Sequence, residues 1–298
     1  MRKPTAFLLT LLLLTGCSAA PAEAPQQVND AAAPTMAAAA LPISREAEEL
    51  RFVVEKETYE DSARAEDDTL LARYRFDLPS LQVLREDGSV LEEAKIPDEE
   101  DALVSAAAFN ERFGKWAAAE EFDEVVVAAR EDLAFCRAEE MDWFNGYVLE
   151  LDTAVYQTEH LVSVSGLYYS YTGGAHPNTW QLGWNFDLER GSFFGPEELG
   201  EDSAEFQEGV HQELIRQAKI TALEKGLAPE EFFWEDYQEI LANWVSYAVY
   251  FDESGMTVAF SPYELAAYVA GPQIFHMAYD WLKPHLSQHG CEVLGLTE

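Results

Sequence analysis

Trp180, Leu182, Trp184 and Phe186 occupy every second position of one short run. Period-2 spacing places all four on one face of a β-strand. Burying side chains of this size is worth roughly 1.5–3 kcal/mol each, so a chain carrying such a row must lay another layer over it. The sequence supplies a matching stripe in Phe206, Val210, Leu214 and Ala218, which recur at helical spacing. Asp202 stands at the N-cap of that stretch and Glu205 three residues on, the spacing of a capping box. The expectation is a sheet whose Trp180–Phe186 row is covered by a long helix starting at Asp202.

The other patterns extend this picture. Leu71, Tyr74, Phe76 and Leu78, then Leu81 and Val83 with a turn at Asp87-Gly88, read as strands within 50–84. Phe109, Phe113 and Trp116 mark one helix, with Asp98 or Asp101 as its cap. Phe122, Val125, Val126, Ala129, Leu133 and Cys136 mark a second. Tyr147, Leu149 and Leu151 alternate, and 161–171 carries apolar side chains on both faces. A short helix follows Pro229, and a hairpin turns at Ser254-Gly255. A turn ends at Gly271-Pro272, a strand spans 273–279, and a helix spans Asp280–His289. Strands and helices come in blocks, which defines an α+β class with an antiparallel β-sheet covered by helices and a smaller N-terminal α/β part. Four segments are expected: 1–16, 17–44, an N-terminal α+β subdomain at 45–144, and an α+β domain at 145–298.

The first two segments address location. Arg2 and Lys3 precede a short apolar run from Ala6 to Leu14, too short for the ~20 residues of a membrane span. This is the pattern of an export signal. It ends in Leu14-Thr15-Gly16-Cys17, which resembles a bacterial lipobox, and in such signals the cysteine is lipidated and becomes the first residue. Residues 17–44 are rich in Ala and Pro with few large apolar groups and read as a disordered linker. The expected product is an exported lipoprotein held through Cys17 on the outer face of the cell membrane. With 19 basic and 55 acidic residues the net charge is −36. Such a surface repels nucleic acid and draws cationic partners, besides keeping the chain soluble.

Residues 171–178, Tyr-Thr-Gly-Gly-Ala-His-Pro-Asn, stand between two strand patterns. Paired glycines permit positive φ, and Pro177 biases His176 toward extended backbone, so the loop is shaped for contact. Tyr168, Tyr169 and Tyr171 flank it and are the aromatics expected at the surface, whereas Trp180 and Trp184 belong to the core. No nucleophile elbow, phosphate loop, calcium loop or His-Glu-x-x-His motif occurs, and no cofactor is implied. His285, His289 and Cys291 could approach a zinc set only with a further ligand. Cys136 and Cys291 permit a disulfide in an exported protein, or two thiols packed as small hydrophobes.

Tyr171–Asn178, together with Phe260-Ser-Pro-Tyr-Glu-Leu-Ala-Ala-Tyr268 and the Phe186-Asp-Leu-Glu-Arg-Gly turn, resembles the extracellular domain of RsiV-type lysozyme-sensing anti-sigma factors. The same domain is similar to a non-catalytic region of PdaC-type peptidoglycan deacetylases. The resemblance spans roughly 145–285, with 45–144 similar to the smaller domain that precedes it. It implies a binding module in the envelope. The implied contacts are Gly173, Gly174, Ala175 and His176 in one loop and Pro262 and Tyr263 in another, with lysozyme-like basic proteins or cell-wall glycan as partners. Where a sensor has a sigma-binding segment and a membrane helix, this chain has the lipobox, and the deacetylase catalytic domain is missing. The alternative is an accessory enzyme acting on peptidoglycan or glycan, with His176 and a carboxylate in the loop cleft.

Overall fold

The Trp180–Phe186 row lies on β5 (Asn178–Asp187) of a six-stranded sheet. Its other strands are β1 (Arg51–Arg64), β2 (Leu70–Leu84), β3 (Tyr147–Gln157), β4 (Leu161–Tyr171) and β6 (Ser192–Phe193), in sequential order. The computed structural model describes residues 50–119 and 121–296. The export-signal segment, Cys17 and the linker lie outside the described residues. Neighbouring strands are antiparallel except for β2 and β3, which pair in parallel. A parallel pair needs a long crossover. Here the crossover consists of α1 (Pro97–Ala118) and α2 (Phe122–Ala138), which occupy the interval between the two strands.

That crossover corrects the first expectation. The row on β5 is covered by α1, not by the helix after Asp202. Phe109 meets Phe186 edge-on at 5.4 Å, and Phe113 meets Trp184 at 5.2 Å. Trp116 leans on Tyr168, which stacks on Trp180. Tyr168 is therefore part of this core, and burial pushes its hydroxyl up to about 12. Trp180 and Trp184 are half-buried under the helix. The start of α1 differs too: Pro97 occupies its first turn and neither Asp98 nor Asp101 caps it. Proline is pre-set for that position because its missing N–H would find no partner there anyway.

The long helix forms as expected, as α3 (Ser203–Glu224), and Asp202 Oδ1 accepts from the amides of Ala204 and Glu205. Its stripe serves a different layer. Phe206, Val210, Leu214 and Ala218 share a core with Val249, Phe251, Met256, Val258 and Phe275 of a second sheet. That sheet contains β7 (Ala248–Asp252), β8 (Gly255–Phe260) and β9 (Gln273–Ala278), all antiparallel.

The two sheets meet across the second face of β5. A Cβ at Gly183 would stand 2.3 Å from the Val249 carbonyl oxygen, so only glycine admits this approach. Beside it, Asn185 Nδ2 donates to Val249 O at 2.9 Å, and Ser163 Oγ donates to Asn185 Oδ1 at 2.8 Å. Ser163 Oγ in turn accepts from the Phe251 amide at 2.7 Å. Each of these buried polar groups has a partner, which offsets its desolvation.

Side-chain amides also close strand edges. Asn110 of α1 bonds both N–H and C=O of Leu81, and Gln157 does so across Phe52 and Val54. Gln217 of α3 bonds both backbone groups of His276 on β9. Each amide replaces a strand partner that the edge would otherwise lack.

Three further expectations change. The six-stranded sheet runs through residue 144, because β2 pairs with β3. The boundary drawn there therefore divides one sheet. The C-terminal helix is broken into α4 (Tyr279–Leu282), a tight turn at Lys283–His285, and α5 (Gln288–Val293). Pro284 cannot donate within a helix, and Ser287 caps the new start by accepting from the Gly290 amide. His285 and His289 therefore diverge: His285 lies against Trp281, and His289 Nε2 is 3.0 Å from Asp187 Oδ2. No group of three or more metal-ligating side chains occurs among the described residues. Cys136 and Cys291 are free thiols. The first lies on α2 over β2 and β3, the second on α5 beside the Pro196–Leu199 turn.

In that turn, Glu197 Oε2 is buried without a hydrogen-bond partner. Burial, with Glu198 as a lesser cause, pushes the Glu197 carboxyl above its ordinary value. A raised carboxyl favours the fold below the unfolded pKa, and that contribution is lost as pH rises through the folded value. Glu197→Gln should therefore stabilise the protein at neutral pH. Urea midpoints of the two proteins should converge at acidic pH and separate as pH rises.

Candidate functional site

The two loops singled out in the sequence lie together on one face. The turn Ser261-Pro262-Tyr263-Glu264 closes with the Glu264 amide donating to Ser261 O at 3.1 Å. Pro262 stands at its second position and Tyr263 at its third, where φ is +73°. This is the pattern of a type II turn, whose third position normally belongs to glycine. Tyrosine there costs about 1–2 kcal/mol against an ordinary conformation, so the turn is held from outside. The Ser261 amide donates to the Glu264 carboxylate, and Ser261 Oγ accepts from the Gln181 amide of β5. Trp234 Nε1 donates to Tyr263 O at 2.9 Å, and the Trp234 amide to Leu265 O.

The glycine loop meets this turn through His176. His176 Nδ1 lies 2.9 Å from Pro177 O, which also accepts from the Tyr268 hydroxyl at 3.2 Å. A carbonyl is an acceptor only, so Nδ1 carries the proton. Nε2 then accepts from the Tyr263 hydroxyl at 3.3 Å. The imidazole stacks on Tyr268 with centroids 4.0 Å apart and planes 19° apart. Tyr263 lies 5.3 Å from Tyr268 and 6.2 Å from His176. Gly173 and Gly174 hold φ of +91° and +87°. A side chain at Gly173 would touch Asp132 Oδ2 of α2 and the Tyr147 hydroxyl. That hydroxyl donates to Asp132, and burial foremost, then this bond, raises its pKa. Gly174 and Ala175 are exposed at the loop tip.

The structure thus unites His176 and Tyr263 directly, with Gly173, Gly174, Ala175 and Pro262 as the backbone that carries them. It adds Tyr268 and Trp234. Tyr263 is 52% exposed and Trp234 38%. Tyr268 stood in the same motif, five residues after Tyr263, and could have been selected on that ground. Trp234 gave no local signal, because its place depends on a long-range bridge between Phe233 and Ala266. Exposed Glu230, Glu231, Glu235 and Asp236 surround Trp234 in the chain. The flanking tyrosines on β4 are half-buried, and the Tyr171 hydroxyl donates to Gly174 O at 3.4 Å. The bonds of His176 go to a carbonyl and a phenol. The face offers aromatic planes, one imidazole and neighbouring negative charge, which suits contact with a cationic or amphipathic surface.

Residues 201–280 match a family described as Protein of unknown function (DUF3298). The matched stretch contains Trp234, Tyr263 and Tyr268; the glycine loop precedes it. A crystal structure of a DUF3298 family member from Bacteroides fragilis is similar over 84% of this chain and 98% of that one, with a TM-score of 0.56 and 12% identity. A DUF3298 family protein from Pseudomonas aeruginosa is similar over 80% of this chain and 96% of that one, with a TM-score of 0.45 and 16% identity. A search of curated proteins gave no match. At 12% identity the first likeness establishes a shared fold.

Proposed function

We propose that this protein is a cell-envelope lipoprotein, anchored through Cys17, whose folded part binds a basic, lysozyme-like protein without catalysis. The observation that carries this reading is the convergence of the glycine loop and the Pro262-Tyr263 turn in an exposed aromatic cluster. Tyr263 occupies a position where glycine would be less strained, and strain kept in an externally braced turn points to use of the side chain. The acidic residues around Trp234 and the net charge of −36 steer a cation toward the cluster. No helix among the described residues is long and apolar enough to cross a membrane; the anchor in this reading is the lipid on Cys17.

Calorimetry of the chain from Ser18 onward against a panel of basic lysozymes tests the reading. Measurements at about 0.01 and about 0.15 M salt shorten the Debye length from ~30 to ~8 Å. Binding that persists at the higher salt is the expected result. Heats that vanish with salt for every lysozyme would refute the specific form and direct the search to cell-wall fragments.

A further inference from the structure

A second surface lies on α2, whose Asp132 borders the glycine loop. The inward face of α2 is Ala129, Leu133 and Cys136, all buried. Helical spacing places Glu124, Val127, Glu131, Phe135 and Ala138 along the opposite face. A solvated helix face should be polar throughout, yet Val127 and Phe135 are 52% and 53% exposed. The chain just past the helix end carries further exposed apolar groups. Glu140 turns the chain with φ of +52°, and the Met141 amide closes back on Cys136 O at 2.8 Å. Trp143 Nε1 then sits 3.0 Å from Met141 Sδ, both residues 42% exposed.

The charges on this outward face itself are acidic. Glu124 and Glu131 lie on the same face, and Glu139, Glu140 and Asp142 alternate with the apolar groups beyond it, all exposed. Arg130 and Arg137 fall on the flank of the helix, and Arg137 is paired with Asp67. The surface therefore interleaves apolar side chains with carboxylates, and from Val127 to Phe135 it runs about 12 Å along the helix at 1.5 Å per residue. A second copy would bring the same carboxylates face to face, which disfavours self-association. A helix with apolar residues on one side and lysines or arginines at its borders matches both features.

We propose that the outward face of α2 and the Met141–Trp143 segment dock a cationic amphipathic helix. The hydrophobic side seats on Val127, Phe135 and Trp143, and the cationic borders pair with Glu124, Glu131, Glu139 and Asp142. The inference is independent of the lysozyme reading.

A labelled Leu/Lys peptide of about 16 residues, patterned as an amphipathic helix, provides the probe, with a scrambled peptide of equal composition beside it. Fluorescence anisotropy with the chain from Ser18 onward should show the patterned peptide binding at least about tenfold more tightly than the scrambled one. Phe135→Ser should remove that preference, and Glu131→Lys with Glu139→Lys should weaken binding at low salt most of all. Tyr263→Asn should leave it unchanged. Because Phe135 is half-exposed on a helix surface, its replacement should leave the urea midpoint nearly unaltered. Equal binding of the two peptides, or retention of the preference by Phe135→Ser, would overturn the proposal. So would loss on Tyr263→Asn, which would place the peptide at the aromatic cluster. Self-association of the wild type that disappears in Phe135→Ser, read by sedimentation velocity, would overturn it in favour of a second copy.

Discussion

Gly183→Ala is expected to lose about 3–5 kcal/mol of stability, enough to consume much of the roughly 5–15 kcal/mol that a folded domain commonly has. The methyl group would stand 2.3 Å from Val249 O, 2.8 Å from its carbonyl carbon and 2.8 Å from its amide nitrogen. All three are backbone atoms, so no rotamer change can relieve the clash. The two sheets must separate locally, and that movement also stretches the bond from Asn185 Nδ2 to Val249 O. A buried acceptor deprived of its donor costs about 1–3 kcal/mol more. Gly174→Ala provides the contrast. There φ is +87° but nothing lies within 4 Å of the added carbon, so only the conformational cost of about 1–2 kcal/mol applies. Urea denaturation of both variants checks the ordering. A Gly183→Ala midpoint no lower than that of Gly174→Ala would mean that the inter-sheet contact is looser than described.

Tyr263→Asn is expected to separate binding from stability. Asparagine accepts positive φ more readily than tyrosine, so relief of backbone strain should compensate for the lost contact between Tyr263 and His176. The urea midpoint should stay within about 1 kcal/mol of wild type. Binding of a basic lysozyme should fall at least about tenfold, because the exposed ring and the hydroxyl that orients His176 both disappear. Tyr263→Phe is the informative intermediate, since it keeps the ring and removes only the hydroxyl bond to His176 Nε2. If affinity survives in the asparagine variant, the aromatic cluster is not the contact. If the fold collapses with it, Tyr263 is a structural bracket instead.

Much of the fold was readable because it depends on local periodicity. The strand at 180–186, the helix capped by Asp202, the hairpin at Ser254-Gly255 and the strand 273–278 each repeat a period that needs no knowledge of the rest of the chain. The candidate face was readable in part for another reason. Glycines at 173 and 174 admit positive φ, and Pro177 and Pro262 fix their own φ wherever they occur, so both loops declared themselves as shaped. Trp234 did not, since an aromatic residue after a short helix looks the same whether it ends in the core or on the surface. The break at Pro284 is legible in principle, because proline cannot donate within a helix, yet His285 and His289 also fit a helical spacing.

The sequence by itself determined which residues form strands and helices, where several of them start, and which two loops have a set shape. It could not determine partnership between layers. The stripes Phe109-Phe113-Trp116 and Phe206-Val210-Leu214 are equally able to cover a row of aromatics, because apolar burial is proportional to area and carries no address. The parallel β2–β3 crossover assigns the row to α1, and the side-chain-free surface of Gly183 lets the second sheet, with α3 behind it, approach the other face. The meeting of His176 with Tyr263 across 87 residues is a consequence of that same packing, since the Ser261 turn is bonded to β5 at Gln181.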